Sequence, residues 1–254
     1  GYLPLPTLPN HYYNHTKNDD RKALKKKTWL SVTDVPKPLS DWQMQAVSDT
    51  EIAATFVQPE AGAKKSAPRP DILSETRPQP HNSINRQTHT TGEGFAPYSI
   101  EQNWYAQDLR FEVYLLSDGR LPASDLRQCF EDIGRIGYGK DASIGLGKFD
   151  LENFASTTLP WQDGANASLT LAPCAPQGQG YDGKRSYYQL FTRFGRHGDV
   201  AVHKSGQPFK NPVLLAQTAA VFGVTPPATG FIGQGLGGSG QLSLTLKETV
   251  QQGY

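Results

Sequence analysis

Apolar and polar residues alternate most cleanly between Asp108 and Ser117, where Leu109, Phe111, Val113 and Leu115 share one face and Arg110, Glu112 and Tyr114 the other. This period of two predicts a strand. Beyond Asp118-Gly119 the period lengthens. Leu126, Phe130 and Ile133 recur three or four residues apart, Pro122 suits a first helical turn and Gly134 is placed to end the helix. A helix is therefore expected over Pro122–Gly134, with Cys129 beside its apolar stripe. Another strand is expected over Lys148–Phe154. Strand, helix, long loop and strand together make one half of a ferredoxin-like or RNA-recognition-motif unit.

Elsewhere the pattern is weaker. Pro4, Pro6 and Pro9 keep the first ten residues extended, and the pattern predicts a short strand over Trp29–Thr33, a helix over Pro38–Val47 and a strand over Glu51–Gln58. Pro59–Pro80 is too rich in proline to fold alone. After residue 160 helix signals nearly vanish, and strands are expected over Ala167–Ala172, Ser186–Phe194, Pro212–Gln217, Ala219–Phe222 and Gln241–Lys247. The predicted class is α+β, with one domain over 1–107 and another over 108–254. Gly1–Asn10 (GYLPLPTLPN) reads as the interior of a longer sequence, so further residues upstream are expected.

At 254 residues the chain is long enough for a sizeable core, yet 25 glycines and 19 prolines point to short strands joined by long loops. The net charge of +1 neither demands nor excludes an anionic partner. Cys129 and Cys174 are isolated, which removes a disulfide framework and a structural zinc site and fits a reducing cytoplasm. No apolar run approaches membrane-spanning length. The Asn-x-Ser/Thr triplets at Asn14 and Asn166 are read as chance matches.

The candidate chemistry gathers in three stretches. Ile133–Phe149 (IGRIGYGKDASIGLGKF) places glycines at 134, 137, 139, 145 and 147 among Arg135, Lys140 and Lys148. Such a loop either turns successive amides toward phosphate oxygens or needs its glycines for packing alone. Gly134, Gly139 and Lys140 satisfy the formal phosphate-loop spacing, but Asp141 stands where Ser or Thr is required and the loop follows a helix, which argues against nucleotide hydrolysis. Arg77–Ser99 (RPQPHNSINRQTHTTGEGFAPYS) is polar on both parities and offers Arg77, His81, Arg86 and His89 to an anionic backbone. The plain alternative for His81 and His89 is surface hydrogen bonding without chemistry. Asp182–Asn211 interleaves Lys184, Arg185, Arg193, Arg196, His197, His203, Lys204 and Lys210 with Tyr187, Tyr188, Phe191 and Phe194. Binding and sheet packing would both produce that pattern, just as Lys17–Lys27 suits a solvated face, phosphate or an acidic partner. A formal G-x-G-x-x-G at Gly233, Gly235 and Gly238 precedes an expected strand, so a dinucleotide site is rejected.

Four segments taken together, Arg77–Pro97, Ile133–Phe149, GQPFKNPVLL at Gly206–Leu215 with AAVF at Ala219–Phe222, and GQGLGG at Gly233–Gly238, resemble the RAMP superfamily. The likeness is close to the five-prime-handle-binding subunits of type III-A (Csm-type) CRISPR interference complexes. It implies two abutted ferredoxin-like (RRM-type) domains, the first lacking before Gly1 an opening strand and helix that upstream residues or another chain would supply, and a non-catalytic, cytoplasmic, antiviral RNA-binding role. The crRNA repeat-derived tag would be gripped, target RNA would lie nearby, and the large palm-domain signalling subunit and a backbone RAMP subunit would be protein partners. No cofactor, metal or membrane is implied. The RNA-binding candidates are His81, Asn82, Ser83, Asn85, Arg86 and Thr88 in one segment. A second set is Arg135, Gly137, Tyr138, Gly139, Lys140, Ser143, Gly145, Gly147 and Lys148, and a third is Gly233, Gly235 and Gly237. A thumb-like hairpin is expected within Pro59–Asn85. Asn85 stands where the family favours Asp, which leaves hydrogen bonding at that loop. The alternatives are a metal-independent endoribonuclease that matures guide RNA through His81 or His89, and a protein-only scaffold docking neighbours through Lys17–Lys27 and the proline-rich segment.

Overall fold

A computed structural model describes residues 1–14, 20–55, 73–92, 96–106, 109–139, 141–159, 164–197, 208–223 and 230–254. The architecture is mixed α+β, with small antiparallel sheets and few helices. Two compact units are present, Gly1–Phe111 with Gln162–Tyr254, and Glu112–Trp161, whereas the sequence pattern places a single boundary at 107/108.

In the first unit, β1 (Tyr2–Pro4) pairs with β2 (Lys27–Ser31), which also pairs with β3 (Val47–Ser48). Helix α1 (Arg21–Lys26) begins where the Asp20 carboxylate accepts the Lys22 amide at 2.8 Å, and it buries Leu24. Helix α2 (Trp42–Gln45) buries Trp42, whose indole N–H donates to the Lys37 carbonyl at 2.9 Å. Trp42 joins Tyr13 and Leu30 in one core cluster.

The strand expected over Glu51–Gln58 is instead helix α3 (Asp49–Thr55), with residues 56–58 outside the described set. The reason is local. The Glu51 carboxylate accepts the Ser48 amide at 2.7 Å while the Ser48 hydroxyl accepts the Glu51 amide at 3.3 Å, a capping box that overrides weak alternation. The Ser48 amide, and after it the Ser48 hydroxyl that also donates to this carboxylate at 2.8 Å, hold the Glu51 carboxyl below its usual range. The helix buries Ile52 and Ala53 against Leu73.

Strands β4 (Ser74–His81) and β5 (Tyr98–Tyr105) form a hairpin in unbroken register from Ser74↔Tyr105 to His81↔Tyr98. Further on, β6 (Ser168–Leu169), β7 (Asp182–Tyr187), β8 (Leu190–Arg193), β9 (Val213–Ala216) and β10 (Val221–Gly223) build a sheet of order β6-β10-β7 and a separate β8-β9 ribbon. The strand expected over Ser186–Phe194 is thus split between β7 and β8. Strands β11 (Leu236–Gly237) and β12 (Val250–Gln251) pair near the end of the sequence. No strand forms over Gln241–Lys247. The Ser243 hydroxyl accepts the amides of Thr245 at 3.1 Å and Leu246 at 3.0 Å, curling the chain into a turn.

The core lies beneath β9 and β10. Cys174, Ala216, Ala220, Phe222 and Ile232 form one cluster, and Ala175, Val213, Leu215 and Leu242 another. The N-terminal segment reaches this region through the Thr7 amide, which donates to the Ala219 carbonyl at 3.0 Å, and through paired Tyr12 and Tyr187 hydroxyls, also 3.0 Å apart.

In the second unit, helix α4 (Ala123–Ile136) confirms a helix in the expected place but runs past Gly134, and Gly137 caps it. Gly134 is buried inside the helix because the Phe149 carbonyl occupies the position a Cβ would need. Cys129 is exposed, not packed beside the stripe. The strands expected over Asp108–Ser117 and Lys148–Phe154 are not assigned in residues 109–117 and 148–154; Asp108 lies outside the described set. Alternation becomes a strand only when a neighbour supplies hydrogen bonds. Among the described residues neither segment has such a neighbour, and Phe111, Val113, Leu115 and Leu116 stay exposed.

Candidate nucleic-acid interface

The sequence candidates fall into three places. His81, Asn82, Ser83, Asn85, Arg86 and Thr88 occupy the end of β4 and the hairpin tip. Arg135, Gly137, Tyr138, Gly139, Ser143, Gly145, Gly147 and Lys148 belong to the second unit, at the end of α4 and in the loop after it. Lys140 lies outside the described residues. Gly233, Gly235 and Gly237 lie on and just before β11 in the first unit.

The hairpin tip is built by its own side chains. The Asn85 amide donates to the Thr90 carbonyl at 3.0 Å, the His89 amide to the Asn85 carbonyl at 2.7 Å, and the Gln87 amide to the Asn85 side-chain oxygen at 2.9 Å. This Asx turn is closed by His89 in the left-handed region at φ 55°. The Thr88 and Thr90 hydroxyls pair at 2.9 Å. Asn85 and Thr88 therefore hold the tip in shape. Asn82, Ser83 and Arg86 are exposed and without side-chain hydrogen bonds among the described residues.

Register assigns the hairpin's faces. Glu75, Arg77, Gln79 and His81 stand opposite Trp104, Gln102, Ile100 and Tyr98, so one face carries Arg77 between two exposed aromatic rings. The His81 ring stacks on Tyr98 with centroids 5.5 Å apart. Arg77 Nε donates to the Glu75 carboxylate at 2.8 Å, and the guanidinium holds that carboxyl below its usual range. From the sequence, Phe95, Tyr98 and Trp104 are expected to add apolar or stacking surface; the missed signal is the parity of YSIEQNWY, which aligns Tyr98, Ile100, Gln102 and Trp104. The expected thumb span Pro59–Asn85 meets this hairpin at its first strand and the start of its tip, and 59–72 lie outside the described residues.

The loop after α4 is wired inward. The amides of Tyr138, Ala142, Ile144, Gly145 and Leu146 donate to carbonyls of the loop itself, and Phe149 donates to Gly134. Those amides are unavailable to a phosphate, so this part of the expected anion-binding concavity is absent. Gly147, at φ 70°, is required because a Cβ there would collide with the Tyr138 carbonyl. What the loop presents outward is side chains. Tyr138 is 73% exposed, Lys148 is exposed, and Arg135 is exposed but ion-paired with Asp132 at 3.3 Å.

The terminal glycines pack on the chain's own end. Gly233 is buried against the Gly253 carbonyl, and the Gln234 and Gly238 amides donate to Gly253 and Thr249 at 2.9 Å. Close backbone passage accounts for glycine at 233 and 237.

Among the described residues no helix is long and apolar enough to cross a membrane, and no group of three His, Cys, Asp or Glu side chains is placed to hold a metal ion. The chain matches no protein-family model and no curated protein sequence.

Proposed function

We propose that this chain is a non-catalytic guide-RNA-binding subunit of a type III CRISPR antiviral complex, working in the cytoplasm with the two-domain ferredoxin-like architecture of RAMP proteins. The observation that carries this reading is the β4–β5 hairpin. It projects Arg77 between Tyr98 and Trp104 on one face and ends in a turn that leaves Arg86 exposed. Aromatic rings that stack on unpaired bases, beside guanidinium groups that meet phosphate, are the chemistry by which single-stranded RNA is held without sequence-specific pairing. Tyr138 and Lys148 in the second unit offer an exposed ring and an ammonium to the same kind of ligand. The repeat-derived tag of crRNA is the proposed ligand. Target RNA would lie nearby, and the large palm-domain subunit and a backbone RAMP subunit are the proposed protein neighbours.

The test compares tagged and tag-less guide RNA bound to the assembled subunit over a range of salt. Tighter binding of the tagged RNA, weakened by Arg86→Ala, supports the proposal, and equal affinity for the two RNAs at every salt concentration would sink tag recognition.

A further inference from the structure

The basic, aromatic interval after β7 contains a second surface of this chemistry, built on the β8–β9 ribbon. Pairing continues beyond the two strands. Arg193 faces Val213, and Arg196 then faces Phe209 in an antiparallel bridge. Between these pairs one strand advances from 193 to 196 and the other from 209 to 213, so the extra residue lies on the second strand. Asn211 explains the bulge. Its backbone amide turns away to the Leu242 carbonyl at 2.8 Å, its side-chain amide donates to Gln241 at 2.6 Å, and Pro212 follows without an N–H. The strand carrying Phe194 and Arg196 therefore runs regularly, and these two residues share a face with Phe209.

That face is bare. Phe194 is 77% and Phe209 71% exposed, although Phe191 and Leu215 of the same ribbon pack into the core. The Arg196 guanidinium lies 5.9 Å from the Phe209 ring centroid. Among the described residues no carboxylate pairs with Arg193, Arg196 or Lys210. Sheet packing explains Phe191; it does not explain two exposed rings beside the Arg196 guanidinium.

We propose that Phe194, Arg196 and Phe209 form a second single-stranded RNA contact, separate from the β4–β5 hairpin. A base stacks on Phe194, another on the guanidinium plane that already lies over Phe209, and the arginine charge meets the intervening phosphate. The inference takes only its ligand class from the proposed function, and its geometry is independent of the hairpin.

The experiment measures fluorescence anisotropy of a labelled oligouridylate of about 12 nucleotides, within the usual site size of such surfaces, against the full chain. Phe194→Ala with Phe209→Ala should weaken binding roughly tenfold, as expected when base stacking is removed, while Phe194→Trp retains it. Arg196→Ala should flatten the salt dependence by close to one phosphate contact, a change of about 0.7 in the log–log slope. Trp104→Ala, run in parallel, separates the two sites. If it weakens binding and the phenylalanine pair does not, the ribbon proposal is overturned while the hairpin reading stands. If the phenylalanine pair alone matters, the ribbon stands and the hairpin reading falls. Competition by poly-glutamate as effective as unlabelled oligouridylate, with no loss in the phenylalanine variants, would mark the face as a site for acidic protein and overturn the RNA assignment.

Discussion

The two long ribbons of the first unit have the same local geometry and opposite relations to the core. The β8–β9 ribbon turns Val213 and Leu215 inward, where they pack with Ala175 and Leu242. The β4–β5 hairpin has no buried face, and its visible anchorage is at the base, where the Ala106 amide donates to the carbonyl of Leu73 at 2.9 Å and Leu73 packs on α3. A free two-stranded hairpin is marginal in water. This one also carries Pro78 and Pro80 two residues apart on a ladder that is unbroken, so their missing donors fall on the outer edge and blunt it against further strands. Stability and surface chemistry are combined on one ribbon and almost separated on the other.

Leu215→Ala should show the largest effect. Leu215 is 0% exposed, and truncating such a leucine costs about 2–5 kcal/mol. Ile100→Ala on the hairpin should cost less than about 1 kcal/mol, because that side chain is only partly covered. Chemical denaturation followed by near-ultraviolet circular dichroism measures both, and equal losses would show that the hairpin shares the core's cooperative unit.

Ser243→Ala comes next and sharpens the account of the ribbon's far end. The Ser243 hydroxyl lies 2.7 Å from Nε2 of buried His197 while accepting two backbone amides. The hydroxyl thus ties the buried imidazole and the two backbone amides into one cluster. Alanine removes the partner of the buried His197 ring nitrogen at a cost of about 1–3 kcal/mol. A stability change below the error of the denaturation curves would remove the hydroxyl from the fold's support.

How far this comparison could be foreseen depends on where the determining interaction lies. Helix α4 was legible because Leu126, Phe130 and Ile133 set its period locally, and β9 and β10 fall within the expected strands at Pro212–Gln217 and Ala219–Phe222. The helix at Asp49–Thr55 was equally local, but its Ser48–Glu51 capping box is stronger evidence than the weak alternation that favours a strand. Residues 109–117 mislead for the opposite reason. Their alternation is real, but a strand requires a partner that no local pattern supplies. At the candidate interface, residue types identified both basic, aromatic stretches. Which rings face solvent depends on cross-strand register, and the Arg196–Phe209 pairing is invisible without it.

Thiol chemistry gives a smaller, local reading of the same contrast. Cys174 bridges Ala216 of β9 and is buried, and burial pushes its thiol up to about 11; Cys129 on α4 is exposed. An aromatic disulfide reagent should consume one equivalent at once and the second only as the ribbon opens. The pH dependence follows from the raised value. As pH climbs from the ordinary thiol range to about 11, the unfolded chain releases this proton before the folded one, so stability falls across that interval. Cys174→Ala should remove that part of the alkaline slope, and an unchanged slope would place the titrating group elsewhere.

The smallest expected change in stability is the most informative for function. Trp104 stands opposite Glu75 in the hairpin register and is exposed to solvent. Replacing it with alanine should leave the denaturation midpoint within about 0.5 kcal/mol of the parent, as for surface positions without buried partners. If the ring stacks on an RNA base, the same substitution should weaken binding of single-stranded RNA by about 1–3 kcal/mol. These two expectations oppose one another, so one variant measured twice decides the role of the face. Intact stability with weakened RNA binding assigns the tryptophan to recognition. Lost stability with unchanged binding would make the ring a structural support and dissolve the contrast between a ribbon that holds the core and one that reaches away from it.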